Sequence, residues 1–240
     1  MEILKKFQEK ARDNNGAEAV TIAFLGDSVT QGCFECIKKG DGFRVVFDKE
    51  SAYHTYLNKM LSVIYPTVPV NIINAGLSGT GAPFGLERLE RDVLRYSPDL
   101  TVVAFALNDC GGGEEKLPLY LDSLRAIFNR LREHGSEIIF LTPNMMNTYV
   151  SDDLDCQTLK NVAALTMVRE QQGILEMYVE AAKKLCMEEQ VKVFDCYSKW
   201  KKRAANGVDT TLLLSNRINH PTREMNWLFA VSLMETIMED

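Results

Sequence analysis

Histidine is scarce in this 240-residue sequence, with only His54, His134 and His220 present. Six cysteines occur, Cys33, Cys36, Cys110, Cys156, Cys186 and Cys196, the first two as a C-x-x-C pair. No second C-x-x-C and no H-x-x-H completes a tetrahedral set, so free thiols are expected and a metal site is not. A basic stripe is lacking too. The formal net charge is −6, and a surface without clustered cations has little to neutralise phosphates, which argues against a nucleic-acid or anionic-membrane partner. The short cluster Lys199, Lys201, Lys202 and Arg203, around Trp200, reads as a solvated helix face. No apolar run approaches the roughly 20 residues that cross a bilayer. The opening segment MEILKKFQEKARDNN is too charged for a secretory core. Its Ile3, Leu4, Phe7 and Ala11 share one helical face, which predicts a short packing helix, and the expected compartment is the cytoplasm. Repeats, low-complexity tracts and flexible linkers are absent, so one domain over residues 1–240 is expected.

What is present is an alternation of short apolar runs and longer amphipathic stretches. The runs Ala19–Leu25, Val70–Asn74, Leu100–Leu107, Glu137–Leu141 and Val191–Phe194 are dense in Val, Ile and Phe without polar alternation, as in strands buried on both faces. Helices are expected at about Ser51–Ile64, Pro83–Tyr96, Leu117–Glu133, Leu159–Glu189 and Thr222–Met238. Thr30–Glu50 shows no clear period and reads as an elaborated loop. The pattern predicts a three-layer α/β/α fold with a five-stranded parallel sheet, in the flavodoxin-like order 2-1-3-4-5. In that order the first strand lies between the second and third, so the loops leaving their carboxyl ends meet at one crevice.

The segments delivered there carry polar chemistry. Gly26-Asp27-Ser28 follows the first strand, Asn74-Ala75-Gly76-Leu77-Ser78-Gly79 the second, and Asn108-Asp109 the third, while His220-Pro221 opens the last helix. Acyl transfer needs a hydroxyl nucleophile, an imidazole to take its proton, and hydrogen-bond donors where negative charge builds. Taken singly, each segment has a plainer reading: GDS as a helix cap, Gly76 as a turn, Asn108-Asp109 as a loop start, and His220 as a residue of a cap region. His54 and His134 sit at helix ends and read as structural.

In residues and order, the four segments together resemble the SGNH/GDSL hydrolases, a family named for its invariant Ser, Gly, Asn and His. The resemblance runs from Phe24 to Trp227. It implies a serine esterase with Ser28 as nucleophile and His220 as general base. The oxyanion donors it implies are the backbone N–H groups of Ser28 and Gly76 and the side-chain amide of Asn108. It implies neither metal nor organic cofactor, and an exposed nucleophile in an open cleft. The substrate would be a small-molecule or carbohydrate ester with a short acyl group, such as acetyl on a sugar. Met145, Met146 and Tyr149 either line an acyl pocket or simply pack. Ser28 lies outside any G-x-S-x-G elbow, which separates the chain from the α/β-hydrolases.

One block departs from the family. Its usual D-x-x-H carries a carboxylate that orients the imidazole, and here Arg217 stands three residues before His220. A backbone carbonyl near Ser215 or Asn216 could take the carboxylate's place, a remote Asp195 or Asp209 could fold into it, or the ring could be poorly held. Arg217 itself reads either as a surface ion pair or as a rim guanidinium that recognises an anionic or polyhydroxyl substrate. Two rival functions stay open. Gly76–Gly81 is glycine-rich enough to cradle a phosphate in a nucleotide- or flavin-binding protein, though it lacks the G-x-G-x-x-G spacing and a P-loop lysine. Alternatively, the chain is a catalytically inactive relative that binds a glycan or a partner.

Overall fold

The computed structural model describes residues 1–239. Among these residues seven strands form: β1 Val20–Gly26, β2 Cys33–Lys39, β3 Gly42–Phe47, β4 Val70–Gly76, β5 Leu100–Ala104, β6 Glu137–Leu141 and β7 Lys192–Phe194. The α-helices are α1 Glu2–Arg12, α2 Ser28–Gln31, α3 Tyr53–Ile64, α4 Ala82–Glu87, α5 Leu89–Asp92, α6 Leu117–Glu133, α7 Gln157–Gln171, α8 Ile174–Glu188, α9 Cys196–Ala205 and α10 Arg223–Met238. Five strands make one parallel sheet in the order β4-β1-β5-β6-β7, which is the expected 2-1-3-4-5. Helices α3 and α10 pack together on one side, while α4, α6 and α8 group on the other, completing three layers. Ile22, Phe24, Val102, Val103, Ile139 and Phe140 are fully covered, as expected of strands sandwiched between helices. No helix of the described residues is long and apolar enough to cross a membrane.

The sheet matters to the site because three strands end level. Gly26 at the tip of β1 pairs with Gly76 of β4 and with Ala104 of β5. Both glycines are required there by close approach: a Cβ on Gly76 would strike the Thr30–Gln31 backbone, and one on Gly26 would strike Thr30 and the Ala104 carbonyl. Without those side chains, α2 sits directly on the ends of β1 and β4.

Three elements differ from the sequence expectation. Thr30–Glu50 is not a loop but holds the antiparallel hairpin β2–β3, turned at Gly40 with φ +59°. The long helix expected over Leu159–Glu189 breaks into α7 and α8 at Gly173, which adopts φ +71° and so cannot continue either helix. The stretch Pro83–Tyr96 breaks at Arg88 and Val93 into α4, α5 and a 3-10 turn over Leu94–Tyr96. The basic cluster lies on α9, whose Trp200 is buried while Lys201 pairs with Glu176 at the surface.

Candidate active site

Ser28 is the first residue of α2, a four-residue helix that starts where β1 stops. Asp27 caps it, accepting the Val29 N–H at 2.9 Å. At its far end the Thr30 carbonyl lies 3.1 Å from His54 Nε2, and the Thr30 hydroxyl 2.9 Å from Tyr53 Oη. His54 is therefore a buried support for the turn that carries Ser28. His134, in contact with the Arg130 carbonyl at the end of α6, is remote from it.

His220 arrives from the other side. The chain pairs Leu214 with Pro221, and the six residues between form a tight loop. Asn216 Oδ1 accepts three of the loop's backbone N–H groups, from Ile218, Asn219 and His220, at 3.0, 2.9 and 2.9 Å. The residues after β6 brace it: Asn144 Nδ2 donates to the Asn219 carbonyl at 3.0 Å, and the Asn147 N–H to the Ile218 carbonyl at 2.9 Å. The ring lies between two partners, with Nε2 at 3.0 Å from Ser28 Oγ and Nδ1 at 2.9 Å from the Phe34 carbonyl. That carbonyl can only accept, so Nδ1 carries the proton and Nε2 presents its lone pair to the hydroxyl. Burial holds the imidazole below its ordinary pKa of 6.5, against the opposing pull of the Phe34 carbonyl, so the ring favours its neutral form.

The group at Nδ1 thus differs from all three arrangements open in the sequence. It is a backbone carbonyl, but it comes from β2 and not from near Ser215 or Asn216. Asp195 is spent on the cap of α9 and on Lys183, and Asp209 accepts from Tyr149 Oη at 2.8 Å. The hairpin bearing Phe34 is anchored by Arg223, the first residue of α10. Its guanidinium lies 4.4 Å from the Phe34 ring centroid and pairs with Glu35 and Asp48. Burying Phe34 inside a hairpin that read as a loop is what hid it. The Gly40-Asp41-Gly42 turn is a signal for the hairpin, but not for the contact that the Phe34 carbonyl makes.

Arg217 turns away from this chemistry. It donates to the Leu212 and Leu214 carbonyls at 3.0 and 2.9 Å and pairs with Asp153 at 2.9 Å. Ser28 and His220 are also less open than the resemblance implied, at 4% and 6% exposure.

The donors near Ser28 divide unevenly. The Ser28 N–H has no hydrogen-bond partner among the described residues. Asn108, delivered where the chain leaves β5, donates through Nδ2 to the Thr80 carbonyl at 2.9 Å and stands 3.5 Å from Asp27 Oδ2. Gly76, expected as a donor, is already committed: its N–H bonds Asn74 Oδ1 at 3.0 Å. Three residues on, Gly79 takes φ +75°, lines a cavity together with Asn108, and has no partner for its N–H among the described residues.

Two buried ionisable groups underlie these strand ends. Arg88 donates to the Gly26 carbonyl at 2.9 Å and the Ala75 carbonyl at 2.6 Å, tying the tips of β1 and β4 together. Burial pushes the Asp27 carboxyl up to about 7, with the Val29 N–H and, more weakly, Arg88 pulling the other way.

A hydroxyl and a neutral imidazole within hydrogen-bond reach, beside unpaired N–H donors at the carboxyl edge of a parallel sheet, define a site of the serine-hydrolase class. The GDSL-like lipase/acylhydrolase family model matches residues 24–228, and the chain belongs to that family. Over 132 residues it is 27% identical to an acetylxylan esterase of Geobacillus stearothermophilus, a match covering 51% of this chain and 58% of the relative's length. Among solved structures, an acetylxylan esterase of the same organism superposes with a TM-score of 0.66 at 20% identity, covering 92% of this chain and 95% of that one. A two-domain esterase active on acetylated mannans, co-crystallised with mannopentaose, gives 0.66 at 20% identity over 98% of this chain and 52% of its own. A gut microbial diltiazem-metabolizing enzyme gives 0.67 at 19% identity over 91% of this chain and 47% of its own. At these identities the structures establish the shared fold.

Proposed function

We propose that the chain is a carboxylic ester hydrolase that removes a short acyl group, acetyl in the first instance, from a carbohydrate through a Ser28–His220 dyad. The observation that carries this reading is the chain of contacts from Ser28 Oγ through the His220 ring to the Phe34 carbonyl. Ser28 Oγ attacks the ester carbonyl while its proton passes to His220 Nε2. The tetrahedral oxyanion rests on the Ser28 N–H and Asn108 Nδ2, with the Gly79 N–H taking the place first given to Gly76. Collapse expels the alcohol, protonated by His220, and leaves an acetyl ester on Ser28. A water then gives its proton to Nε2 and attacks that ester, releasing acetate.

A backbone carbonyl at Nδ1 fixes the tautomer but brings only a dipole to the imidazolium, where a carboxylate would bring a full charge. Losing the carboxylate of a complete triad while keeping the wrong tautomer costs about 10⁴-fold. The Phe34 contact retains the correct tautomer, so much of that loss is avoided. The acetylated-carbohydrate substrate class follows the acetylxylan esterase relative. Six cysteines carried as free thiols support a reducing, cytoplasmic setting, and the chain acts as one domain.

Hydrolysis of p-nitrophenyl acetate by wild type, Ser28→Ala and His220→Ala tests the mechanism. Both variants should lose at least about 10⁴-fold in kcat. The pH profile adds a signature. The reactive ring is neutral and its pKa is depressed, so activity should persist at pH 6.5 and fall only as pH drops further. Turnover unaffected by Ser28→Ala would overturn the mechanism, and no turnover in wild type would favour a binding role.

A further inference from the structure

From the cavity beside Asn108 we infer a saccharide subsite, in which Phe84 is the platform for a sugar ring and Lys116 a donor to its hydroxyls. This rests on the ester-hydrolase reading for its direction, since Asn108 would mark where the acyl carbonyl sits, but it names residues outside the dyad and the oxyanion donors.

The cavity has a volume of about 400 Å³ and opens against Asn108. That is several times the space an acetyl group fills and falls in the range of small-ligand sites. Its walls are mixed in character, which suits a ring with polar edges and apolar faces better than a bare hydrocarbon chain. Phe84 in α4 leaves 41% of its surface exposed at this wall. Lys116, also in the wall, has no ion-pair partner among the described residues despite Glu114 and Glu115 beside it in sequence.

The glycines explain how polar side chains come to line the cavity. A Cβ on Gly81 would collide with the Asp109 carboxylate, and one on Gly112 with the Lys116 stem. Bare backbone at those two positions lets both side chains lie in the wall. Asp109 Oδ1 accepts the Ala82 N–H at 2.8 Å, while Oδ2 is buried with no donor. The same loop ties the cavity to the chemistry, because the Thr80 carbonyl that holds Asn108 Nδ2 belongs to it. The glycine-rich segment Gly76–Gly81 thus supplies one wall of this space through Gly79, Thr80 and Gly81.

The test compares wild type, Phe84→Ala and Lys116→Met on acetylated xylo-oligosaccharides and on p-nitrophenyl acetate, which offers no sugar. The ratio of the two kcat/KM values should fall at least about tenfold in Phe84→Ala and about threefold in Lys116→Met. A ratio that stays constant overturns the inference. So does a loss in Phe84→Ala that grows with acyl length from p-nitrophenyl acetate to the octanoate, which would make the cavity an acyl pocket. Calorimetric titration with deacetylated xylotriose separates the two readings. Binding that Phe84→Ala abolishes, in a protein that cleaves neither ester, would uphold the subsite and sink the hydrolase. Hydrolysis of p-nitrophenyl acetate with no xylotriose binding and no preference for the oligosaccharide would do the reverse.

Discussion

The two halves of the site are built on different physical footings. Ser28 and Asn108 stand at or just beyond the ends of strands whose register is fixed by the central sheet, and a large continuous core lies behind them. His220 stands in a loop shaped by side chains, above a separate small cluster of Leu154, Cys156, Leu159, Ala163 and Ile218, with Cys36 and Val150 against it. The first half is specified by a periodicity that any parallel sheet imposes. The second depends on individual hydrogen bonds, some local, such as Asn216 to the loop, and some across long stretches of chain, such as Phe34 to the ring. A substitution in the first half should therefore damage the fold, and one in the second should damage the alignment of the imidazole.

The largest effect expected is on the strand-end half. Gly76→Ala places a Cβ against the Thr30–Gln31 backbone, where no flexible side chain can yield. We expect a loss of about 3 kcal/mol in urea unfolding, at the upper end of overpacking costs. If the loss were under about 1 kcal/mol, α2 would have room to move and the contrast in rigidity would fail.

Asn216→Ala comes next and probes the other half. It strips the shared acceptor from three N–H groups, those of Ile218, Asn219 and His220. Stability should fall by about 2 kcal/mol, since buried donors left unpaired each cost something of that order and part of the loop will relax. The more telling readout is kinetic. Misplacing His220 should lower kcat by about 100-fold with KM little changed. Should kcat and stability fall only as much as in a distant surface variant, the loop would owe its shape to Asn144 and Asn147 instead.

The same division decides what could be read in the sequence. The sheet order, the positions of Ser28 and Asn108 and the arrival of His220 at the crevice were legible, because apolar periodicity places strands and strand order places their ends. Gly76 was singled out from a segment with three glycines, and the structure frees the N–H of Gly79 instead, a distinction that turns on Asn74 capping one amide and not the other. Neither the Phe34 carbonyl nor the bracing by Asn144 and Asn147 carries a local signature. Each is a backbone or amide contact spanning many residues, set only once the hairpin and the loop after β6 have folded. Arg88 was lost inside an expected helix, since nothing in a helical pattern announces that one arginine turns inward to tie two strand ends.

The smallest effect, at Arg217, separates backbone from side chain in the histidine loop. Arg217 holds φ +56°, a left-handed conformation that costs a residue with a Cβ about 1 kcal/mol relative to glycine. Its guanidinium offsets this through the Leu212 and Leu214 carbonyls and an ion pair with the largely exposed Asp153. Arg217→Ala keeps the backbone cost and loses the bonds, so it should unfold about 1 kcal/mol more easily. Arg217→Gly loses the same bonds but relieves the backbone, and should fall between the alanine variant and wild type. Because the guanidinium is engaged with the loop and Asp153, KM for acetylated xylo-oligosaccharides should change by less than about twofold in either variant. A rise in KM of tenfold or more in both would return Arg217 to the rim as a substrate contact, and the histidine half would then bind as well as align.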